Sequence, residues 1–539
     1  SAFIMRKQTK VVAVASAAAL LAIGASMTSF AATGWVEEDG QWYFYDKDGN
    51  RVEDEWKKSG DNWYWLDSEE GGAMAIDKLV EDDDDTYYVD GNGVMVTNTW
   101  VKVVNEDQDD DDDPAEYHYY YMQSNGKAYK GDGTSVSKKT IDGKRYAFDE
   151  DGVMLYGWVT ESGTMANGED EWSASDVMYY FGGWEDGSMK TGWQKITVHD
   201  NEDGKDDDYD YWFNFKSNGH RRAHANADDT WKSNSRYYHF DERGVMVYQW
   251  FETATTNYAS ASNWAYFSSP EDGARVTKGW FKVVPAEMLN KEKYDDDEES
   301  WYYADGSGNL YAGEFKTIKG KKYAFRNDGR MLTGLKFIKE GDEDFADVKA
   351  DDDDSRPFDN EDDFFDNAIE FYEPNGYKCY YFGGDDDGAM RTGKTTINYD
   401  GENTSFYFEK SGGKKGAGVT GEKDDKLYQS GMLLKADSDD KYIVVDKATK
   451  TVNGKTVVTY DKLDDAKDFM DQDDVVATNL LENTTADTRV NIGNNSNKKA
   501  EDLTEAYKIS FTQSDEDVKH EYVLVNTSGK VIDSKGKNK

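Results

Sequence analysis

The sequence predicts an all-β repeat protein: a β-hairpin solenoid with a small, mostly β C-terminal region. Three observations carry this. From Trp35 one pattern recurs: an apolar or Trp position, a few polar residues, an aromatic cluster, a Gly-containing turn, a Met or small apolar residue, then Gly-Trp or a relic of it. Aromatic residues make up 14% of the 539 positions, too much ring surface to leave in water, so the acidic chain is not simply disordered. Against five Pro stand 49 Gly, which supply turns with positive φ rather than a Pro-rich linker.

The clearest copies are GWVEEDGQWYFYDKDGNRVEDEW from Gly34, TYYVDGNGVMVTNTW from Thr86, KRYAFDEDGVMLYGW from Lys144 and MYYFGGWEDGSMKTGW from Met178. Weaker ones start at Arg236, Trp264, Lys321 and Cys379. The distance from the first Tyr to the closing position is nearly constant: 13 residues from Tyr87 to Trp100, 12 from Tyr146 to Trp158, 14 from Tyr179 to Trp193, 13 from Tyr237 to Trp250 and 14 from Tyr266 to Trp280. Each unit reads as a hairpin. In WYFYD, Trp42 and Phe44 face one side and Tyr43 and Tyr45 the other, and the D-x-D-G stretch that follows is expected to supply the turn. A lone hairpin is marginal in water, whereas stacked hairpins bury one another's faces. A longer period lies above the short one. WVKVV at Trp100 returns as WFKVV at Trp280, and the closing positions Trp100, Trp193, Trp280 and Lys394 are 93, 87 and 114 residues apart, so three hairpins form a super-unit present about three times.

Residues 1–31 read as a secretory signal peptide: a basic start at Met5-Arg6-Lys7, an Ala/Val/Leu run from Val11 to about Ala22, and small residues at Ser29 and Ala31 before the cleavage point. The exported chain has one cysteine, Cys379, hence no intramolecular disulfide, which suits a bacterial protein. The ending at Lys535–Lys539 shows neither a hydrophobic stop nor a sorting motif, so attachment to a cell is expected to be non-covalent. The net charge of −46 repels nucleic acid and anionic lipid, which excludes a DNA-binding or polybasic membrane role. The acids cluster at Glu81–Asp85, Glu106–Asp113, Asp206–Asp210, Asp295–Glu299, Asp351–Asp354 and Asp385–Asp387, which read as inserts joining hairpins. Solvated, self-repelling loops are the simplest reading, with weak Ca2+ binding by these acidic inserts as the alternative. The repeats end near residue 440. Residues 441–539 hold 15 basic and 18 acidic residues and no Trp, with strand-like KYIVV, KTVVTY and EYVLV and one helix-like stretch, LDDAKDFMD from Leu463.

The Gly-Trp, Trp-Tyr-Tyr-Phe, D-G-x-M-x-T-G-W arrangement resembles the cell-wall-binding repeats of choline-binding and glucan-binding proteins of Gram-positive bacteria, over about residues 34–435. The resemblance implies a hairpin solenoid of the choline-binding-module type on a secreted, cell-surface protein, with ligands held in aromatic cages between hairpins. Each cage is made of the Trp after Gly, the Trp opening the aromatic cluster, and a Tyr or Trp of the next unit. Carried over, this gives Trp35 and Trp42 with Trp63 or Tyr64, then a second cage begun by Trp56 and Trp63. Further candidates are Trp158, Trp193, Trp231, Trp250, Trp264, Trp280 and Trp301. The implied partner is a wall polymer, either choline-bearing teichoic acid or a glucan or other polysaccharide. The rings suit both, since a quaternary ammonium gains about 0.5–2 kcal/mol per ring face and sugars stack on the same faces. For any single Trp, packing within the solenoid remains the competing role. The chain departs from the pattern after Trp301, where no Trp follows, and Trp100, Trp231 and Trp250 lack the preceding Gly. Later units are therefore expected to keep the fold and lose the cage.

No catalytic constellation stands out: there is no G-x-S-x-G and no H-E-x-x-H. His220 and His224 have i, i+4 spacing, which would be metal-like on a helix, but lie in a repeat beside Arg221 and Arg222 and read better as surface histidines. Two functions stay open: a non-catalytic wall-binding protein, or a repeat-targeted wall hydrolase of the amidase type. A purely structural surface solenoid is the variant of the first.

Overall fold

The computed structural model describes residues 33–111, 113–224, 229–253, 260–349, 357–372, 376–440, 442–465, 510–512 and 518–531. The signal-peptide segment, the acidic run 351–354 and most of the helix-like stretch from Leu463 lie outside them. Leu463 to Asp465 itself ends a strand, Lys455–Asp465, rather than starting a helix. The chain divides into two compact units, one of residues up to Gln249 with Phe267–Ala274, the other of Trp250–Tyr266 with the residues from Arg275 on.

The first unit is a series of antiparallel hairpins, as the repeats predict. Gly34–Glu38 pairs with Gln41–Tyr45, Glu55–Ser59 with Asn62–Asp67, Lys78–Asp82 with Asp85–Val89, and Thr99–Val104 with Tyr117–Met122. Lys139–Ile141 with Lys144–Tyr146, Trp158–Thr160 with Val177–Tyr180, Gly192–Asp200 with Asp207–Phe215, and Trp231–Ser233 with Arg236–Tyr238 continue the series. The position of the turn differs from the sequence reading. The hairpin turn precedes the aromatic strand: at Asp39-Gly40 and Asp142-Gly143 both residues have positive φ (52° and 79°, 49° and 79°), which is what a two-residue turn matching the strand twist needs. The D-x-D-G stretch after the aromatic strand instead makes a tight loop closed by a single bridge, such as Tyr45 to Arg51 or Val89 to Met95. Its leading Asp caps the loop with its own side chain. Asp90 Oδ1 accepts the backbone N–H of Asn92 at 2.9 Å and of Val94 at 3.0 Å.

This moves the acids as well. Glu106–Asp113 and Asp295–Glu299 fall between the two strands of one hairpin, and Glu81–Asp85 and Asp206–Asp210 run from such a tip into its strands, so none of the four joins one hairpin to the next. The reason is steric: tips that need positive φ and face water favour Asp, and Asp83 and Asp297 adopt φ of 54° and 55°. Among the described residues no three His, Cys, Asp or Glu side chains are grouped as a metal site. Residues 220–224 form no helix, so the two histidines do not share a helical face. His220 meets the Tyr179 hydroxyl at 2.8 Å, and His224 lies 3.1 Å from His239.

In the second unit, Gly279–Val283 pairs with Ser300–Ala304 and Glu314–Ile318 with Lys321–Phe325. Beyond these the sheets widen. Leu335–Glu340 lies between Phe345–Lys349 and Lys378–Tyr381, and Gly393–Tyr399 begins a five-stranded sheet. The acid-rich sequence that follows the run 351–354 includes the helix Glu361–Tyr372. Phe364, Phe365 and Ala368 are buried on one helical face, with Asp362, Asp363 and Asp366 turned elsewhere, so the pattern is amphipathic rather than merely charged. Tyr442–Val452, flanked by Lys455–Asp465 and Val518–Asn526, belongs to a four-stranded sheet. Its Ile443 and Val445, with Val525, join one apolar cluster with Leu335, Phe337, Phe364 and Phe406. Cys379 is buried in that cluster, which pushes its thiol pKa up.

Candidate aromatic cages

One ring arrangement recurs along both units. The Trp of a hairpin's first strand lies edge-on to an aromatic across the hairpin and to a Tyr of a following one. Trp56 lies 5.2 Å from Trp65 and 5.0 Å from Tyr87, Trp100 5.2 Å from Tyr121 and 4.8 Å from Tyr146, and Trp280 5.1 Å from Tyr303 and 4.8 Å from Tyr323. Trp193 meets Tyr238 at 5.0 Å. Edge-to-face contacts at these distances are the favoured geometry of ring pairs and add to the burial they bring.

Two further positions complete the set. One is an aromatic on the second strand, Trp63, Tyr119, Trp212 or Trp301. Trp212 stands 6.3 Å from Trp193 at 85°, and Trp301 stands 6.3 Å from Trp280 at 87°. The other is a Met eight residues after the Tyr: Met95, Met154, Met246 and Met331. Its backbone N–H donates to the carbonyl oxygen of that second-strand residue at 2.8–2.9 Å in all four cases. Its thioether lies on a glycine of the next loop. A Cβ on Gly126, Gly187, Gly273 or Gly388 would come within 2.1–2.5 Å of the sulfur, so only glycine fits.

The sets differ in what covers them. At Trp100, Tyr119 and Met154, the indole of Trp184 lies 6.4 Å from Tyr117 and from Tyr119 and joins the same cluster. The set at Trp193 opens on a cavity of about 330 Å³ lined by Trp193, Trp212, Tyr238, Met246, Glu271 and Asp272. At the Trp280 set, Trp301 and Met331 line a cavity of about 510 Å³. In both open sets a carboxylate is held against the second-strand indole. Glu271 accepts from Trp212 Nε1 at 3.2 Å and from Lys195 Nζ at 2.8 Å, and Asp386 accepts from Trp301 Nε1 at 2.9 Å and from Lys282 Nζ at 3.1 Å. The register explains the coincidence, since Lys195 pairs with Trp212 and Lys282 with Trp301. Hydrogen bonds from Lys195 and then Trp212 hold the Glu271 carboxyl below its ordinary pKa, and those from Trp301 and then Lys282 do the same for Asp386.

The remaining sequence candidates take other places. Trp35 lies edge-on to Phe44 and Tyr64, both at 5.4 Å, but Tyr64 is 0% exposed and offers no face to a ligand. Trp42 lies opposite Glu37, and Trp63 is 38% exposed opposite Lys58. Trp158, 6% exposed, is a packing residue against Tyr180 and Phe213. At this set the Met position is taken by Arg221, whose N–H bonds the Met178 carbonyl. Its buried guanidinium lies 5.7 Å from the Trp158 ring and donates to the carbonyls of Trp172 and Ala174, at 2.8 and 3.0 Å. The chain thus places its own cation on the ring. Trp231 carries Arg222 at 4.0 Å from its ring. Trp250 and Trp264 form a further pair, 6.4 Å apart at 81°, but Ala286 and Leu289 pack into their cluster, and Trp250 Nε1 donates to the Val284 carbonyl at 2.7 Å.

Sequence reasoning missed Trp212, Tyr238, Tyr323, Met246, Met331 and the two acids. A Tyr eight residues ahead of Met is visible in the sequence and finds four of these. Glu271 and Asp386 share a place in the loops FSSPEDG and FGGDDDG, which also marks them.

Residues 32–78 match the family model of the choline-binding repeat. Glucosyltransferase-S of Streptococcus mutans serotype c (strain ATCC 700610 / UA159) is 26% identical over 230 residues, 37% of this chain and 15% of its own length. Among solved structures, the modular autolysin LytC of Streptococcus pneumoniae aligns with a TM-score of 0.30 and 17% identity, covering 57% of this chain and 54% of the autolysin. CbpJ of Streptococcus pneumoniae TIGR4 aligns with a TM-score of 0.28 and 19% identity, covering 55% of this chain and 99% of CbpJ. Choline binding protein F of Streptococcus pneumoniae gives a TM-score of 0.22 and 16% identity over 75% of this chain and 100% of its own. No helix among the described residues is long and apolar enough to cross a membrane. The chain resembles the cell-wall-binding repeat proteins of Gram-positive bacteria, and its residues 32–78 carry the choline-binding repeat.

Proposed function

We propose that this is a secreted, non-catalytic protein that attaches non-covalently to a wall polymer or polysaccharide through aromatic cages between its hairpins. The observation that carries this reading is the cavity walled by Trp193, Trp212, Tyr238 and Met246, three aromatic rings and a thioether around a space of about 330 Å³. Such a wall suits a quaternary ammonium, which gains about 0.5–2 kcal/mol from the rings, and Glu271, held ionised, adds a counter-charge beside it. In this reading the set at Trp280 and Trp301 is the second working cage, whereas Trp158 and Trp250 are structural. Residues 1–31 direct export, 32–440 bind the wall, and 441–539 form a C-terminal region beyond the repeats.

Two experiments test this. Titrating the protein with choline and with isomalto-oligosaccharides, followed by Trp fluorescence, is expected to give a saturable response to one of them, and silence to both refutes the cage. Incubation with purified peptidoglycan is expected to release no muropeptides above background, and release would establish the hydrolase reading instead.

A further inference from the structure

We infer that His199 is a proton-operated latch: its imidazolium pins the acidic tip of the long hairpin formed by Gly192–Asp200 and Asp207–Phe215 to the segment at Glu169, and loss of the proton above neutral pH frees the tip. The latch does not depend on the aromatic cages. Charge of one sign gathers at this tip. From Asp200 to Asp208 stand six acids and one base, Lys205, and Glu169, Asp170 and Glu171 in the contacting segment add three more acids. His199 stands between the two, with 14% of its side chain exposed. Its Nε2 lies 3.2 Å from Glu169 Oε1 and 3.1 Å from Asp206 Oδ1, and its Nδ1 lies 3.2 Å from Oδ1 of Asp208, the residue it pairs with across the hairpin. A neutral imidazole has one N–H and one lone pair, so one edge of the ring would turn that lone pair on a carboxylate. Only the imidazolium donates from both nitrogens.

The neighbouring cations are engaged elsewhere. Arg243 bonds Asp200 at 2.9 Å and Asp241 at 3.2 Å and reaches Glu202 at 3.4 Å, and Lys205 lies 3.5 Å from Asp200. Burial works against the charge of His199, but hydrogen bonds to Asp208 and Asp206 and the charge of Glu169 hold its pKa above the ordinary 6.5. A raised histidine contributes stability that is fully present below its unfolded value and is lost as pH rises through the folded one. The latch is therefore closed in mild acid and opens above neutrality. His220, His224 and His239 are shifted the other way, first by burial, so none of the three titrates above pH 7. At His224 the geometry agrees, because its Nδ1 accepts the Phe240 N–H at 3.2 Å. The main chain at the latch is held separately. Trp172, 3% exposed, donates its Nε1–H to the His199 carbonyl at 2.7 Å. Deprotonation thus frees the tip beyond Asp200 and leaves the base of the hairpin paired.

The test is hydrogen–deuterium exchange of the full chain in EDTA at about pH 6 and about pH 8.5, either side of the histidine range, corrected for the intrinsic pH dependence of exchange. Residues 199–209 are expected to lose protection about fivefold at the higher pH, the scale of a few partly exposed ion pairs, while 192–196 and 211–215 keep theirs. His199→Arg, charged at both pH values, is expected to keep the tip protected at both, and His199→Gln to leave it unprotected at both. A wild type with equal protection at the two pH values, or a pH-dependent loss that persists in either variant, overturns the latch. Loss of protection at the base together with the tip overturns it as well, since the change is then a general unfolding.

Discussion

The cavities at Trp193 and at Trp301 share two wall positions of the repeat, the second-strand indole and the Met, and yet differ in character. The first is lined by three rings, a thioether and two acids, and the second by one ring, a thioether, four acids and five bases. The hairpin stack therefore fixes the rings, through strand register and the Met N–H bond to the second-strand carbonyl. The chemistry of the opening is set by loop positions, which the stack leaves variable. The same loop carries Trp184 over a closed set, Glu271 at one open set and Asp386 at the other.

The strongest way to break this comparison is to remove the first-strand indole. Trp193→Ala and Trp280→Ala are each expected to cost about 3 kcal/mol in urea denaturation, because both rings pack edge-on to the next hairpin. Equal costs support a shared frame, and a cost below about 1 kcal/mol for either shows that its ring is not structural. Next come Gly273→Ala and Gly388→Ala, which place a Cβ 2.3 Å from the Met246 and Met331 sulfurs at φ of 67° and 72°. Each is expected to destabilise by about 1–3 kcal/mol and to weaken choline binding at its own cavity.

Acid tests the first unit. There burial opposes the charge of Asp200, but the Tyr211 hydroxyl and Arg243 hold its carboxyl down to about 2. A depressed carboxyl contributes stability above its unfolded value that is lost as pH falls through the folded one. About 2 kcal/mol is thus expected to disappear between roughly pH 4 and 2, and Asp200→Asn should abolish this loss in acid melts. His239, lowered to about 4 chiefly by burial, contributes above its unfolded value and loses that contribution from about pH 6.5 down to 4. The smallest expected effect is at the cage acids. Glu271→Gln and Asp386→Asn should weaken choline binding about threefold each and leave isomalto-oligosaccharide binding unchanged.

The repeat and the first-strand Trp positions were legible because period and aromatic spacing survive insertion. The second-strand Trp212 was not, since the long hairpin Gly192–Phe215 places it 19 residues from Trp193, where shorter units have seven. Met246 and Met331 read as filler because a thioether in a repeat gives no sign of whether it faces a neighbour or a cavity. Turn placement was misjudged because D-G pairs occur on both sides of the aromatic strand, and only φ distinguishes the hairpin turn from the capped loop. Arg221 was hidden for another reason: occupation of a cage by the chain's own cation is a long-range contact, 63 residues from Trp158.

The central claim is that Trp212 and Trp301 are ligand walls, not packing residues. Calorimetric titration of choline into the wild type and into Trp212→Leu/Trp301→Leu tests it most directly, with circular dichroism as the check on folding. The account predicts that the double variant keeps the wild-type spectrum and loses the saturable heat of binding. A double variant that is folded and binds choline as the wild type does would contradict it.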